Sequence, residues 1–236
     1  MSQRKSVHPH FSYAFDPANI SRWMKLISLV FVSSALCACA TPKNFDYTAF
    51  KSSRPKSMLI LPPVNDSPEV SATAGVMTTA ALPLAEAGYY VMPVSLVEEA
   101  FKQNGMTGAN EIQSVAASKL REIFGADAAV YIRVKDYGTK YQVINSDTRV
   151  TVEGKIVDLR TGQQIWAGSA TASSTEGQSS SGGLIGMLVS ALVNQIVGTA
   201  SDASLNYAAV ANYRLLGSPI KNGVLYGPRS PNYQKD

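Results

Sequence analysis

The first half of the chain alternates short apolar runs with longer stretches of helical character. The run Ser57–Leu61 is apolar after its serine and stops at Pro62-Pro63, which is typical of a buried strand. Tyr89–Met92 predicts a second short strand. This order of strands and helices predicts a right-handed crossover between parallel strands. The helices that the pattern predicts cover residues 71–87, 96–103 and 110–124, with a kink or a break expected at Pro83.

The pattern changes after residue 128, where apolar and polar residues alternate at a period of two. Alternation through Val150, Val152 and Ile156 indicates a long half-buried strand, and Leu159–Gly162 is typical of a tight turn. We therefore predict an α/β (α+β) sandwich: a mixed sheet of about five strands with a parallel crossover start and an antiparallel meander, helices packed on it and a C-terminal helical segment. The strands of the meander are predicted at 128–135, 143–157 and 164–168.

A bacterial lipoprotein signal is predicted before this domain. The apolar run Leu26–Leu36 follows Met24-Lys25 and ends in Leu36-Cys-Ala-Cys39. About 11 residues are too few to span a bilayer, which takes about 20 in a helix. Cys39 has Leu36 at position −3 and Ala38 at −1, whereas Cys37 would place the large Leu36 at −1. We expect cleavage after Ala38 and a covalent lipid on the thiol of Cys39, with palmitate as one of its acyl chains. Cleavage by the ordinary secretory peptidase is the alternative.

Removing the signal region changes the charge and chemistry of the chain. The chain has 21 basic and 17 acidic residues, of which four basic and one acidic lie in residues 1–38. The mature charge is then 17 − 16 = +1, which gives no basic footprint for nucleic acid. Both histidines, His8 and His10, and the spare Cys37 are removed as well. We predict no His-based catalytic triad, no His- or Cys-ligated metal site, no cofactor and no catalytic residue.

The predicted domain organisation follows these changes in composition. A stretch rich in Ser, Thr and Gly separates the sheet domain from a C-terminal apolar region. Met24 is an alternative start of the precursor. The boundaries that we predict are a signal region at 1–38, a lipid-anchored tether at 39–56, a mixed α/β domain at 57–175, a Ser/Gly linker at 176–183, C-terminal helices at 184–217 and an irregular tail at 218–236.

The apolar stretch 184–198 has two interpretations. At about 15 residues it is shorter than a membrane-spanning helix, and a core helix packed on the sheet explains it. Small residues along it would also allow close approach by another helix, as in an oligomer or membrane contact. The candidate contact residues are Leu184, Ile185, Leu188, Leu192 and Ile196.

Acidic and tyrosine side chains offer no catalytic arrangement by sequence alone. The carboxylates are scattered, and Asp158 before Arg160-Thr-Gly is most simply a turn residue. Tyrosines cluster near one strand and would form a ligand-facing row or cover a half-buried sheet face. The residues concerned are Asp66, Glu69, Asp127, Asp136, Asp158, Tyr131, Tyr137 and Tyr141.

Four motifs beyond the signal carry a family resemblance. They are Leu59–Ser67, Phe124–Ala128, Val157–Gly162 and the tail motif Leu225–Arg229. With these the chain resembles the bacterial lipoproteins of domain-of-unknown-function family 799. That family is similar in fold to the amino-terminal domain of TolB and to the curli-secretion channel lipoprotein group.

The resemblance implies a non-enzymatic lipoprotein of the cell envelope. Ala40 follows the cysteine where an aspartate would favour the inner membrane, so we expect the outer membrane and a periplasm-facing domain. The leading hypothesis is an interaction or assembly module whose partners are other envelope lipoproteins or channel proteins. A second copy of the chain, in a homo-oligomer, is a further candidate partner. The alternatives are an accessory or structural component of a secretion or export channel, and an envelope enzyme.

Overall fold

Six strands form one mixed sheet in the computed structural model, which describes residues 45–141, 146–176 and 203–235, with only the backbone at Tyr141. These residues belong to the compact unit Phe45–Asp236. The strands are β1 (Ser57–Ile60), β2 (Val64–Asn65), β3 (Tyr90–Val91), β4 (Ala128–Tyr141), β5 (Ser146–Asp158) and β6 (Gln164–Ser173).

The topology confirms the predicted mixed sheet. The strand order is β3-β1-β4-β5-β6, with β2 paired to β4. β1 is parallel to β3 and β4, whereas β4, β5 and β6 form an antiparallel meander. The sequence missed β2, because Val64–Asn65 is only two residues long and stands among turn-forming residues.

Two prolines interrupt the edge of the sheet between β1 and β2. Pro62 and Pro63 have no backbone N–H to donate to β4. The side chain of Gln113 spans this gap: its Nε2 donates to Pro62 O at 2.9 Å and to Ile132 O at 3.0 Å. β1 and β2 therefore continue along the same side of β4.

The described helices differ from the prediction at two places. Pro83 lies inside α2 (Ala72–Glu86), so of the kink or break expected at this proline the break does not occur. The helix predicted at 110–124 is two helices, since the backbone is extended at Ala116 (φ −58°, ψ 139°). The helices are α1 (Thr48–Ser53), α2 (Ala72–Glu86), α3 (Val94–Gln103), α4 (Ala109–Gln113), α5 (Ala117–Phe124) and α6 (Ala203–Leu216).

Helix α6 packs on one face of the meander. A Cβ added to Gly154 would lie 2.9 Å from the side chain of Leu215, so the glycine allows the helix to approach β5. Asn212 of α6 is fully buried and donates through Nδ2 to Val76 O and to Thr79 Oγ1 of α2, both at 2.8 Å. The two long helices are thus joined to each other as well as to the sheet.

The ends of the domain are more ordered than the sequence predicts. The predicted tether at 39–56 contains α1, whose Phe50 is buried in the core. The predicted irregular tail at 218–236 has no helix or strand among its described residues, yet it is hydrogen-bonded along much of its length. Of the predicted C-terminal helices at 184–217, the described part is α6, and most of the predicted linker at 176–183 lies outside the described residues.

Candidate functional site

The residues singled out for anchorage and for contact lie outside the described residues. Ala38 and Cys39 precede Phe45, where the description begins. The candidate contact residues fall in the undescribed range 177–202, so their roles stay predictions. They are Leu184, Ile185, Leu188, Leu192 and Ile196.

The carboxylates considered by sequence are mostly paired with cations. Asp66 accepts from Arg133 Nη1 at 2.7 Å and from Lys135 Nζ at 2.9 Å. The hydrogen bond from Lys135 and the charge of Arg133 hold the pKa of Asp66 below its usual value. Asp136 pairs with Lys140 at 2.7 Å. Among the described residues, no group of three or more His, Cys, Asp or Glu could hold a metal ion.

Two of the three tyrosines near this strand, Tyr131 and Tyr137, do not lie in one row. The register of β4 against β5 shifts between Val134 and Asp136, so the alternation of faces changes there. Tyr131 lies beside Lys155, whose Nζ is 5.0 Å from the ring centroid. The hydroxyl of Tyr137 instead points at Gly75 of α2, where an added Cβ would lie 2.6 Å from it. A bulge, which the sequence does not reveal, separates the two side chains.

The two ends of the described unit meet beside β6. The backbone N–H of Phe45 donates to Asn222 Oδ1 at 3.1 Å, and the hydroxyl of Tyr47 donates to Gly223 O at 2.5 Å. Trp166 of β6 donates through Nε1 to Asn222 O at 3.1 Å. Residues 217–235, called the C-terminal segment from here, therefore fix the point at which the chain enters the domain.

The C-terminal segment also crosses the turn between α2 and β3. Gly227 N donates to Ala87 O at 2.7 Å and Arg229 N donates to Gly88 O at 3.1 Å. A Cβ added to Gly227 would lie 2.6 Å from Gly88 O, so the crossing requires glycine there. Beside it, the hydroxyl of Tyr89 donates to Leu225 O at 2.6 Å. The tail motif of the sequence is thus a backbone contact with the turn that leads from α2 into the edge strand β3.

A buried carboxylate joins α1 to the β5–β6 turn. Asp158 is 2% exposed and accepts from Ser53 Oγ at 2.6 Å and from Arg160 N and Nη2 at 2.7 and 2.5 Å. Burial acts to raise the pKa of Asp158, but the hydrogen bonds from Arg160 and Ser53 outweigh it and lower the pKa to about 2. The residue is a turn residue, as expected, and it also fixes α1.

A cavity of about 160 Å³ lies between α1 and the C-terminal segment. Helix α1 and its C-cap contribute Phe50, Lys51 and Arg54, and the C-terminal segment contributes aromatic and apolar side chains. The sequence did not indicate this cavity. The cavity lies between two segments about 170 residues apart, and the composition of the two predicted a tether and an irregular tail. The aromatic spacing of Phe45, Tyr47 and Phe50 was the one signal that the first segment packs. The residues from the C-terminal segment include Leu225, Tyr226 and Tyr233.

Helices that could cross a membrane were not found in the part of the chain that the structure describes. None of the described helices is both long enough and apolar enough.

The comparisons with known proteins agree with the resemblance read from the sequence. The family model described as "Putative lipoprotein GNA1162-like" matches residues 45–229, which begin where the folded unit begins. "Putative lipoprotein NMB1124/NMB1162" of Neisseria meningitidis serogroup B (strain ATCC BAA-335 / MC58) is 49% identical over 197 residues, covering 83% of this chain and 91% of that relative.

One solved structure at high identity gives the same result. The crystal structure of lipoprotein GNA1162 from Neisseria meningitidis has 50% sequence identity and a TM-score of 0.50, and the match covers 61% of this chain and all of that one. The NMR structure of Escherichia coli LpoB has a TM-score of 0.40 at 14% identity over 73% of this chain and 80% of that one, and a likeness at this level carries no functional conclusion. On the family model and the close relative, the chain belongs to the GNA1162-like family of lipoproteins.

Proposed function

We propose that this chain is a non-enzymatic lipoprotein of the outer membrane, anchored through a lipid on Cys39, whose periplasm-facing domain docks other envelope proteins. Membership of a lipoprotein family and the Leu36-Cys-Ala-Cys39 signal support the anchor. The observation that carries the proposal is the hydrogen bond from Phe45 N to Asn222 Oδ1. It fixes the chain to the domain only a few residues after the proposed anchor.

The spacing limits the reach of the domain. Five residues, 40–44, separate Cys39 from Phe45. A fully extended chain spans at most about 3.3–3.6 Å per residue, so the tether reaches about 20 Å. A domain tethered this closely docks partners at the same membrane. We expect those partners to be envelope lipoproteins or channel proteins, a second copy of this chain included.

Replacement of each cysteine tests the anchor. The variant Cys39→Ser should lose incorporation of a palmitate analogue in cells and should leave the outer-membrane fraction. Cys37→Ser is the matched control, and it should keep both. Labelling that is lost with Cys37→Ser and kept with Cys39→Ser would overturn the assignment.

Cross-linking in cells tests the docking role. The lipidated protein should give discrete adducts with envelope proteins or with itself, and light scattering in detergent should identify an oligomer if one forms. A strictly monomeric protein with no cross-linked envelope partner contradicts the docking proposal while leaving the anchor intact.

A component of an export channel is the second candidate function. It rests on the apolar sequence 184–198, which follows a Ser- and Gly-rich stretch. Deleting these residues should then abolish export or membrane leakage while circular dichroism and the unfolding midpoint stay unchanged. If the deletion destabilises the domain, residues 184–198 belong to the core and this candidate is wrong.

A further inference from the structure

We propose that four basic residues near the point where the chain enters the domain rest on the anionic phospholipid surface of the membrane that holds the anchor. They are Arg54, Lys56, Lys221 and Arg229, called the basic collar from here. The inference rests on the proposed lipid anchor and adds to it a second, electrostatic contact with the same membrane. That contact fixes which end of the domain faces the lipid.

Two cations of the basic collar lie beside the point of entry. Lys221 directly precedes Asn222, whose Oδ1 accepts from the N–H of Phe45 at 3.1 Å. Arg54 is the C-cap of α1 and lines the cavity together with Tyr226 of the C-terminal segment. Both cations are exposed. Because the tether holds Phe45 within about 20 Å of the anchor, both stay near the membrane surface.

The other two cations flank an exposed tyrosine. Lys56 O accepts from Tyr90 N at 3.1 Å, and the guanidinium of Arg229 lies 5.3 Å from the centroid of the Tyr90 ring. Tyr90 is 44% exposed, and both cations are exposed as well. Tyrosine is enriched at membrane interfaces, where its ring meets the apolar side and its hydroxyl stays in water. A tyrosine between two cations therefore matches the headgroup layer of a bilayer.

The charge of the domain is unevenly distributed along the chain. The described residues from β1 to α6, which are 57–141, 146–176 and 203–216, include 10 basic and 13 acidic residues, so their charge is 10 − 13 = −3. The two end segments, 45–56 and 217–235, include six basic residues and one acidic residue, so their charge is 6 − 1 = +5. The positive charge is therefore concentrated in the segments that meet at the point of entry.

The basic collar does not depend on the other two cations of these segments. Lys51 follows Asp46 by five residues, and Lys235 directly precedes Asp236, so acidic neighbours offset both charges. The four collar cations form no ion pair with the carboxylates that the structure describes. Their charge is therefore available to a partner outside the chain.

Acidic side chains at this end of the sheet are mostly paired with cations outside the collar. Asp127 Oδ1 lies 3.5 Å from Arg121 Nη1, and Asp158 is paired with Arg160. Glu86, exposed at the end of α2, offsets one collar cation. A surplus of 4 − 1 = 3 positive charges remains. Since a tether of five residues leaves this surface beside the bilayer, anionic phospholipid is the partner that its charge and position select.

The size of the effect follows from the number of cations. A Lys or Arg near an anionic membrane surface strengthens the attraction about fivefold, so three should raise the ratio of docked to free domain roughly a hundredfold. The attraction falls off within a Debye length, which is about 10 Å at 0.1 M salt and about 3 Å at 1 M. Docking should therefore be sensitive to salt, unlike the lipid anchor.

Energy transfer from tryptophan to dansyl-labelled lipid headgroups tests the contact. Trp166 is the one tryptophan after Cys39, and its ring centroid is 6.4 Å from that of Phe45, so it reports how close the point of entry is to the lipid. The mature lipidated protein is reconstituted in vesicles of phosphatidylcholine, alone or mixed with phosphatidylglycerol. Transfer should be higher with phosphatidylglycerol at about 0.1 M salt, and the excess should disappear at about 1 M.

The decisive variant combines Lys56→Gln with Lys221→Gln. Both side chains are exposed, so the fold should be unchanged by circular dichroism, whereas the ratio of docked to free domain should fall about 25-fold. Arg229→Gln replaces Lys56→Gln if the first variant does not fold. The matched control combines Lys135→Gln with Lys140→Gln, which removes the same charge from exposed ion pairs towards the far end of β4. It should keep the excess transfer.

Three results would overturn the proposal. Equal transfer in the two kinds of vesicle shows that the domain does not rest on anionic lipid. Unchanged transfer in the collar variant shows that other residues make the contact, and an equal loss in the control shows that only the net charge matters. The anchor is checked separately by mass spectrometry: if Cys39 carries no lipid, the anchor is wrong, and the same vesicles then judge the collar by co-sedimentation. Excess transfer that is lost only with the collar variant supports the proposal.

Discussion

The two contacts that hold the ends of the domain use opposite chemistry. At one end of the cavity, α1 is fixed by the buried charge of Asp158 through Ser53 and Arg160. At the other, the C-terminal segment is fixed by neutral contacts, in which backbones cross at Gly88 and Gly227. The first contact depends on ionisation, whereas the second depends on close approach.

The two contacts should therefore weaken under different conditions. Acid weakens a contact that needs a carboxylate, while a contact between backbone amides responds mainly to added side-chain volume. The cavity lies between the two, so each side can be perturbed without the other.

The largest expected effect is on the neutral contact. Gly227→Ala places a Cβ 2.6 Å from Gly88 O, against backbone that cannot rotate away. We expect a loss of about 3 kcal/mol in the free energy of unfolding, measured with urea and circular dichroism. Gly108→Ala is the control, because the nearest atom would be 3.9 Å from its Cβ. Equal small effects for the two variants would show that the crossing tolerates a side chain.

Acid should weaken the charged contact by about 2 kcal/mol. The pKa of Asp158 is about 2 in the folded state against 3.8 ordinarily, and each unit is worth about 1.4 kcal/mol. Because the folded pKa is the lower one, this stabilisation is complete above about pH 4 and is lost as the pH falls towards 2. Unfolding free energies of the parent and of Asp158→Asn, measured from pH 5 to pH 2, should converge at the acid end. A constant difference across that range would contradict the ionised contact.

Removing the hydroxyl of Tyr89 should have an intermediate effect. Tyr89→Phe leaves Leu225 O without this donor in a mostly buried place, which should cost about 1 kcal/mol. Tyr90→Phe is the neighbouring control, since Tyr90 is 44% exposed, and it should change the unfolding free energy by less than about 0.5 kcal/mol. If the two variants behave alike, the hydrogen bond to Leu225 contributes little.

The smallest effect is expected at the surface of the crossing. The guanidinium of Arg229 lies 5.3 Å from the ring centroid of Tyr90. Arg229→Ala should lose about 0.5 kcal/mol, because an exposed cation–π contact is weak and the backbone bond to Gly88 O remains. Arg229→Lys keeps the cation and should lose less. A loss as large as that of Gly227→Ala would mean that the side chain, not the backbone, holds the segment.

The central sheet was predictable because its signals are local. The apolar run that stops at Pro62-Pro63 identified β1, and the turn at Leu159–Gly162 identified the hairpin of β5 and β6. The parallel pairing of β1 with β3 followed from the crossover rule, whereas the order of the strands came from the structure. Periodicity and turn chemistry therefore sufficed for the part of the fold in which neighbours in sequence are neighbours in space.

The candidate site was not predictable for the opposite reason. Tyr47 contacts Gly223, and Ser53 contacts Asp158, across more than 100 residues of sequence. Each segment alone is short, polar and rich in turn formers, so its composition is that of a tether or a tail. The cavity forms only where the two segments pack together. The sequence pattern of either segment alone does not show that they are in contact.

The bond between Phe45 and Asn222 has a mechanical consequence. If the lipid on Cys39 resists tension, the force enters the domain at Phe45 and passes at once to Asn222 and to Trp166 of β6. Helix α1 then bears little of the load while these bonds hold. The element expected to yield first is the C-terminal segment rather than the sheet, so a pull on the anchor would open the cavity before it unfolds the domain.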